Sequence, residues 1–199
     1  MSEPAGTKVE AVVIGGSAGG LEAIGTLLGA LPERFVPSIL VVLHIPPDKP
    51  SLLAEIYAPR CRLPVREAMD KEKMEPGTIY VSPPDYHLLV ETDRTLALSR
   101  EPPVRFSRPS IDVMFESAAE VFGDALTAIV VSGANDDGAE GLAAVRRAGG
   151  RAWVQSPAEA QASTMPAAAI ERAGADLVAS IRDLAERLVH LRTGRVIAI

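Results

Sequence analysis

Three side chains of this 199-residue chain could together carry out nucleophilic chemistry: Ser17, His44 and an aspartate of the 135–138 segment. Ser17 lies in Gly15-Gly16-Ser17-Ala18-Gly19-Gly20, directly after the apolar run Val9 to Ile14. A helical pattern follows, with Leu21, Ile24, Leu27, Leu28 and Leu31 on one face. That order reads as strand, tight glycine turn, helix. Glycines on both sides permit positive φ and close backbone approach. The free N–H groups at the start of the helix point back at the turn. A serine held there can act as a nucleophile with oxyanion donors beside it. Gly15-x-Ser17-x-Gly19 matches the nucleophile-elbow pattern. A phosphate loop would need a lysine after the last glycine, and a dinucleotide turn would need a glycine where Ser17 stands. A glycine turn that only packs helix on strand is the plainer alternative.

His44 ends a second apolar run, Val36 to Leu43, and the aspartates Asp136 and Asp137 follow a third, Ala125 to Val131. A strand–helix–strand unit of this length is a right-handed crossover, so these strands are parallel and their C-terminal ends share one edge of a sheet. Ligands of open α/β sheets gather beyond that edge. Serine, imidazole and carboxylate there are the parts of a nucleophile–base–orienter relay, in which the imidazole takes the hydroxyl proton and the carboxylate fixes its tautomer. Each residue also has a plainer reading: His44 as a strand-end residue bonded to backbone, Asp137 as the N-cap of the helix that follows. Three at matching positions weigh more than any one. The residues alone leave Asp136 and Asp137 as alternatives, with Asp112 a weaker third, serving the first turn of its own helix. His87, inside an antiparallel run, and His190, in the last helix, are expected at the surface or in packing. The order Ser, His, Asp excludes an ordinary α/β-hydrolase, which runs Ser, Asp, His.

The elements that must position these groups are legible in outline. Hydrophobic residues make up 47% and charged residues 23%, as in a soluble globular domain with a sizeable core. A net charge of −6 argues against nucleic acid or an anionic membrane as the main partner. Cys61 is the only cysteine, so neither an internal disulfide nor a cysteine metal cluster can form. No apolar run reaches the length of a membrane span, and the start lacks a signal-peptide pattern, so a cytoplasmic location without membrane insertion is expected. The expected fold is α/β: a doubly wound, mostly parallel sheet with helices on both faces. A small antiparallel excursion is expected at about 62–100, where short runs are broken by Glu75-Pro76-Gly77 and Pro83-Pro84-Asp85. Pro46 to Pro50 reads as a rigid turn, with Ser51 capping a helix whose apolar face is Leu52, Leu53 and Ile56. Ser110 is the expected N-cap of a helix carrying Ile111, Met114 and Phe115. Residues 1–7 read as a polar tail, 8–193 as a single domain and 194–199 as a C-terminal extension.

With these segments in view the chain resembles the catalytic domain of the chemotaxis protein-glutamate methylesterases, the CheB family. The resemblance rests on Ile14 to Gly20, His44-Ile45-Pro46-Pro47, Arg108-Pro109-Ser110-Ile111-Asp112-Val113-Met114-Phe115, Gly133 to Gly141, and Met165-Pro166, in family order. It implies Ser17 as nucleophile, His44 as base and Asp137 as orienter, since the family's aspartate directly precedes the glycine matched by Gly138. Backbone N–H groups at Ala18 and Ala134 are then the oxyanion donors. No cofactor or metal is implied. The implied reaction is hydrolysis of glutamate γ-methyl esters on the helical bundle of methylated chemoreceptors, with receptor glutamine deamidation as a second activity. The loop departs from the family's T-G-M-G-x-D-G: Ala134 replaces the methionine and Asn135 a glycine. Family enzymes commonly carry an N-terminal receiver domain, which seven residues cannot form, so that switch is expected to be lacking unless another chain supplies it or the sequence is an excised domain. The alternative to an enzyme is a CheB-like scaffold whose site has drifted, supported only by the altered loop. A basic patch around Arg105 and Arg108 is the expected contact for an acidic receptor.

Overall fold

The computed structural model describes residues 8–45 and 51–191. The polar tail, the proline turn at 46–50 and the C-terminal extension lie outside the described residues. Along the chain come β1 (Ala11–Gly16), α1 (Gly20–Gly29), β2 (Ser38–Leu43), α2 (Leu53–Tyr57), β3 (Val65–Glu67), β4 (Ile79–Val81), β5 (His87–Val90) and β6 (Leu96–Ser99). Then follow α3 (Ile111–Phe122), β7 (Leu126–Val130), α4 (Ala139–Arg147), β8 (Arg151–Gln155), α5 (Thr164–Ala173), β9 (Leu177–Ala179) and α6 (Ile181–Val189).

Seven strands form a parallel sheet in the order β3, β4, β2, β1, β7, β8, β9. From β1 the chain winds outward to β2, then returns past β1 to β7, so the order reverses between β1 and β7. Strands buried on both faces must be apolar throughout, which is why β1, β2 and β7 read as unbroken runs. Alternate residues serve opposite cores. Val12, Ile14, Ile39 and Val41 pack with Ile24, Leu27 and Leu28 of α1 and with Leu184 and Leu188 of α6. Val13, Leu40 and Val42 pack with Met114 and Phe115 of α3, Leu142 and Val145 of α4, and Met165 of α5. Each such side chain contributes about 1.5–3 kcal/mol on burial, which fixes the strand register against a one-residue slip.

The antiparallel part is narrower than the sequence suggests. Among the strands of the described residues β5 and β6 alone pair antiparallel, with isolated antiparallel bridges at Lys73–Thr95 and Val104–Ser107, whereas β3 and β4 join the edge of the main sheet in parallel. Short strands broken by proline carry no mark of direction; long-range pairing decides it. Two other expectations shift. Leu52 is exposed and precedes α2, and Tyr57 takes the buried place, its hydroxyl donating to the Leu21 carbonyl at 3.1 Å. The alanine-rich run Ala162 to Ala169, which by composition reads as helix throughout, becomes helical only at Thr164, leaving the Ala162 amide to donate to the Ser132 hydroxyl at 2.8 Å.

Candidate active site

β1 positions Ser17. Gly16 is the register partner of Leu43, and the His44 amide donates to the Gly16 carbonyl at 3.1 Å. Ser17 and His44 therefore leave adjacent parallel strands at the same level, about 4.8 Å apart in the hydrogen-bonding direction. On the other side of β1 the Ser17 amide donates to the Ser132 carbonyl at 2.9 Å. The Ser132 hydroxyl donates to the Ala18 carbonyl at 2.7 Å and accepts from the Ala162 amide at 2.8 Å, tying three loops beneath the serine. Gly19 has φ +76°, and a Cβ there would lie 2.7 Å from the Ser132 hydroxyl, so this turn admits only glycine. The Ser17 side chain is partly exposed and makes no hydrogen bond among the described residues.

His44 Nε2 lies 2.8 Å from Asp137 Oδ2; the imidazole is 13% exposed and the carboxylate 0%. Asp137 is accordingly the aspartate that meets the histidine. Asp136 is exposed and its carboxylate pairs with Arg105. Asp137 does not cap α4, whose N-cap is Gly138 at φ +96°. It caps α3 from across the site. Its Oδ1 accepts from the Ser110 hydroxyl at 2.8 Å and the Asp112 amide at 3.1 Å, and its Oδ2 accepts from the Ile111 amide at 2.7 Å. Burial would raise the Asp137 carboxyl. The hydrogen bonds from His44, Ile111 and Asp112 outweigh it and hold the group below the usual carboxylate value. With Asp137 accepting from Nε2, a neutral His44 carries its proton there and presents Nδ1 as the lone-pair nitrogen.

Asp112 returns the exchange. It does not serve its own helix: its Oδ1 accepts from the Gly138 amide at 2.9 Å and the Gly141 amide at 2.7 Å, capping α4. The N-termini of α3 and α4 thus trade carboxylates, each anion sitting on the other helix's unpaired N–H groups. Close approach permits this: a Cβ on Gly15 would strike Ile111, and one on Gly141 would lie 2.6 Å from Phe115 Cβ. Burial, then the charge of Asp137, push the Asp112 carboxyl up to about 6 against the pull of the Gly141 and Gly138 amides and Arg105.

Ala18 and Ala134 are both exposed at this edge, and neither N–H donates a hydrogen bond among the described residues. Asn135 Oδ1 accepts from the Asp137 amide at 3.2 Å, which turns its Nδ2 toward His44 Nδ1 at 3.5 Å. Of the other histidines, His190 is exposed, but His87 is buried: its Nδ1 accepts from the Ser110 amide and its Nε2 faces the Pro102 carbonyl, both at 3.2 Å. Sequence reading missed Ser132 and His87 as supports; a hydroxyl directly after a buried parallel strand was the available signal for the first. The expected basic patch is not free charge. Arg105 pairs with Asp112, Asp136 and Glu140, and Arg108 with Asp85. Among the described residues no group of His, Cys, Asp or Glu is arranged to hold a metal ion.

The profile of the CheB methylesterase family matches residues 12–188. The chain belongs to the CheB methylesterase family. A Leptospira interrogans relative is 44% identical over 182 residues, covering 92% of this chain and 94% of its own. The protein-glutamate methylesterase/protein-glutamine glutaminase of Maricaulis maris is 33% identical over 93% of this chain and 47% of its own length. Burkholderia pseudomallei protein-glutamate methylesterase/protein-glutamine glutaminase 1 is 36% identical over 89% of this chain and 50% of its own. The crystal structure of the Thermotoga maritima CheB methylesterase catalytic domain superposes with a TM-score of 0.87 at 30% identity, covering 93% of this chain and all of that one. The doubly wound sheet with its small antiparallel hairpin is therefore the fold of the CheB catalytic domain.

Proposed function

We propose that this chain, acting as one catalytic domain over residues 8–193, hydrolyses glutamate γ-methyl esters on the cytoplasmic helical bundle of methylated chemoreceptors. The observation that carries the reading is the His44–Asp137 pair, 2.8 Å apart, on the sheet edge where the Ser17 turn ends. In this mechanism Ser17 Oγ attacks the γ-carbonyl while His44 Nδ1 takes its proton. The amides of Ala18 and Ala134 receive the oxyanion. The tetrahedral adduct collapses, the C–O bond to the methoxy group breaks, and His44 returns the proton so that methanol leaves. Water, deprotonated by His44, then cleaves the glutamyl ester of Ser17, yielding glutamate and free serine. Asp137 stays ionised throughout and balances the imidazolium. Attack on a glutamine carboxamide would release ammonia by the same steps, which makes receptor deamidation the second proposed activity. A separate receiver protein is the proposed regulator.

Methanol release from methylated receptor fragments tests this. Ser17→Ala should lower it about a thousandfold or more, with folding retained because the side chain makes no hydrogen bond among the described residues. No release by either protein, both folded, would refute the esterase.

A further inference from the structure

A cleft of about 200 Å³ is lined by His44, Ile45 and Asp85 together with Phe106, Ser107 and Arg108. Phe106 is fully exposed, whereas Phe35, Phe115 and Phe122 are buried. It sits at the tip of a tight hairpin in which Val104 and Ser107 exchange backbone hydrogen bonds at 2.8 and 3.1 Å. The two tip residues, Arg105 and Phe106, have φ +48° and +64°. Turns of this geometry favour Asn and Gly, and a bulky residue in the left-handed region is held there against its preference. What holds it lies beneath: the Arg105 guanidinium contacts Asp112, at 3.3 Å, and Asp136, both next to the candidate catalytic carboxylate or its helix caps. The tip is thus fastened to the catalytic loop while its aromatic ring faces solvent. Strain of this kind persists where a function needs the side chain presented.

We infer that Phe106 is a specificity-determining contact for polypeptide substrates, meeting an apolar side chain that flanks the esterified glutamate on an α-helix. The inference rests on the proposed esterase. The ester side chain itself would enter toward His44, so the exposed ring at the hairpin tip meets what lies beyond that side chain. On a helix, residues three or four apart project from one face about 5–6 Å from each other, which suits a cleft and an adjacent knob. Exposed aromatic anchors of this sort carry a large share of binding at protein interfaces.

The test compares kcat/KM on a methylated receptor fragment with kcat/KM on a free γ-methyl ester of N-acetylglutamate. Phe106→Ala and Phe106→Gly should lower the ratio of the two by about tenfold or more, mainly through KM on the protein. Phe106→Tyr should restore it. Phe106→Gly should also raise the unfolding midpoint, because glycine relieves the positive φ. A ratio within twofold of the natural chain, with Ser17-dependent hydrolysis intact, would overturn the inference and leave the esterase standing. Absence of Ser17-dependent hydrolysis of either ester by the natural chain would overturn both.

Discussion

Replacing Asp112 by Asn should make the protein more stable at neutral pH, and the gain should vanish in acid. Asp112 is buried, and its Oδ1 accepts from the Gly138 and Gly141 amides at 2.9 and 2.7 Å. Asn keeps that oxygen and removes the charge that burial and Asp137 disfavour. The carboxyl is pushed from 3.8 up to about 6, so the folded state binds its proton more tightly than the unfolded chain does. The stabilisation this provides is complete below pH 3.8 and is lost as pH rises through about 6. Two pH units at about 1.4 kcal/mol each give a change on the order of 3 kcal/mol. The pull of Arg105 is already contained in that value, so its loss as an ion-pair partner calls for no separate subtraction. Urea unfolding of both proteins from pH 4 to 8 reads the difference directly, and its slope with pH is free of any constant offset from imperfect replacement. A difference flat across that range, or one in which the variant loses ground as pH rises, would refute the reasoning. Asp112 would then be an ordinary ionised cap.

Further outcomes follow from the same geometry. Asn135→Gly should raise kcat severalfold in the methanol-release assay, because the amide facing His44 Nδ1 no longer competes for the lone pair. It should cost about 1–2 kcal/mol in denaturant unfolding through the lost bond to the Asp137 amide and added chain entropy. Gly141→Ala should destabilise by about 1–3 kcal/mol and lower kcat together, since its methyl would press on Phe115 and on the Asp112 backbone and part the two helix ends. A thermal melt and a kinetic assay on one preparation check both.

The strands and the Ser17 turn were legible because their signals are local. Doubly buried strands must be apolar, and parallel connections bring their C-terminal ends to one edge, so Ser17 and His44 could be placed together from spacing alone. The direction of β3 and β4 was not legible: three-residue strands hold no period long enough to read, and their partners are distant. The same limit applied to the carboxylates. Asp136 and Asp137 are adjacent and chemically identical, and only the docking of α3 against α4 turns Asp137 to His44 and Asp136 to Arg105. Asp112 looked like a residue of its own first turn, yet its bonds reach amides 26 and 29 residues away. Arg105 and Arg108 looked like free positive charge until tertiary packing gave each a carboxylate. Sequence thus determined which elements form and which chemistry the edge can hold. Tertiary structure decided which carboxylate faces which donor, because unpaired helix ends take whatever buried anion the neighbouring helix brings within hydrogen-bond reach.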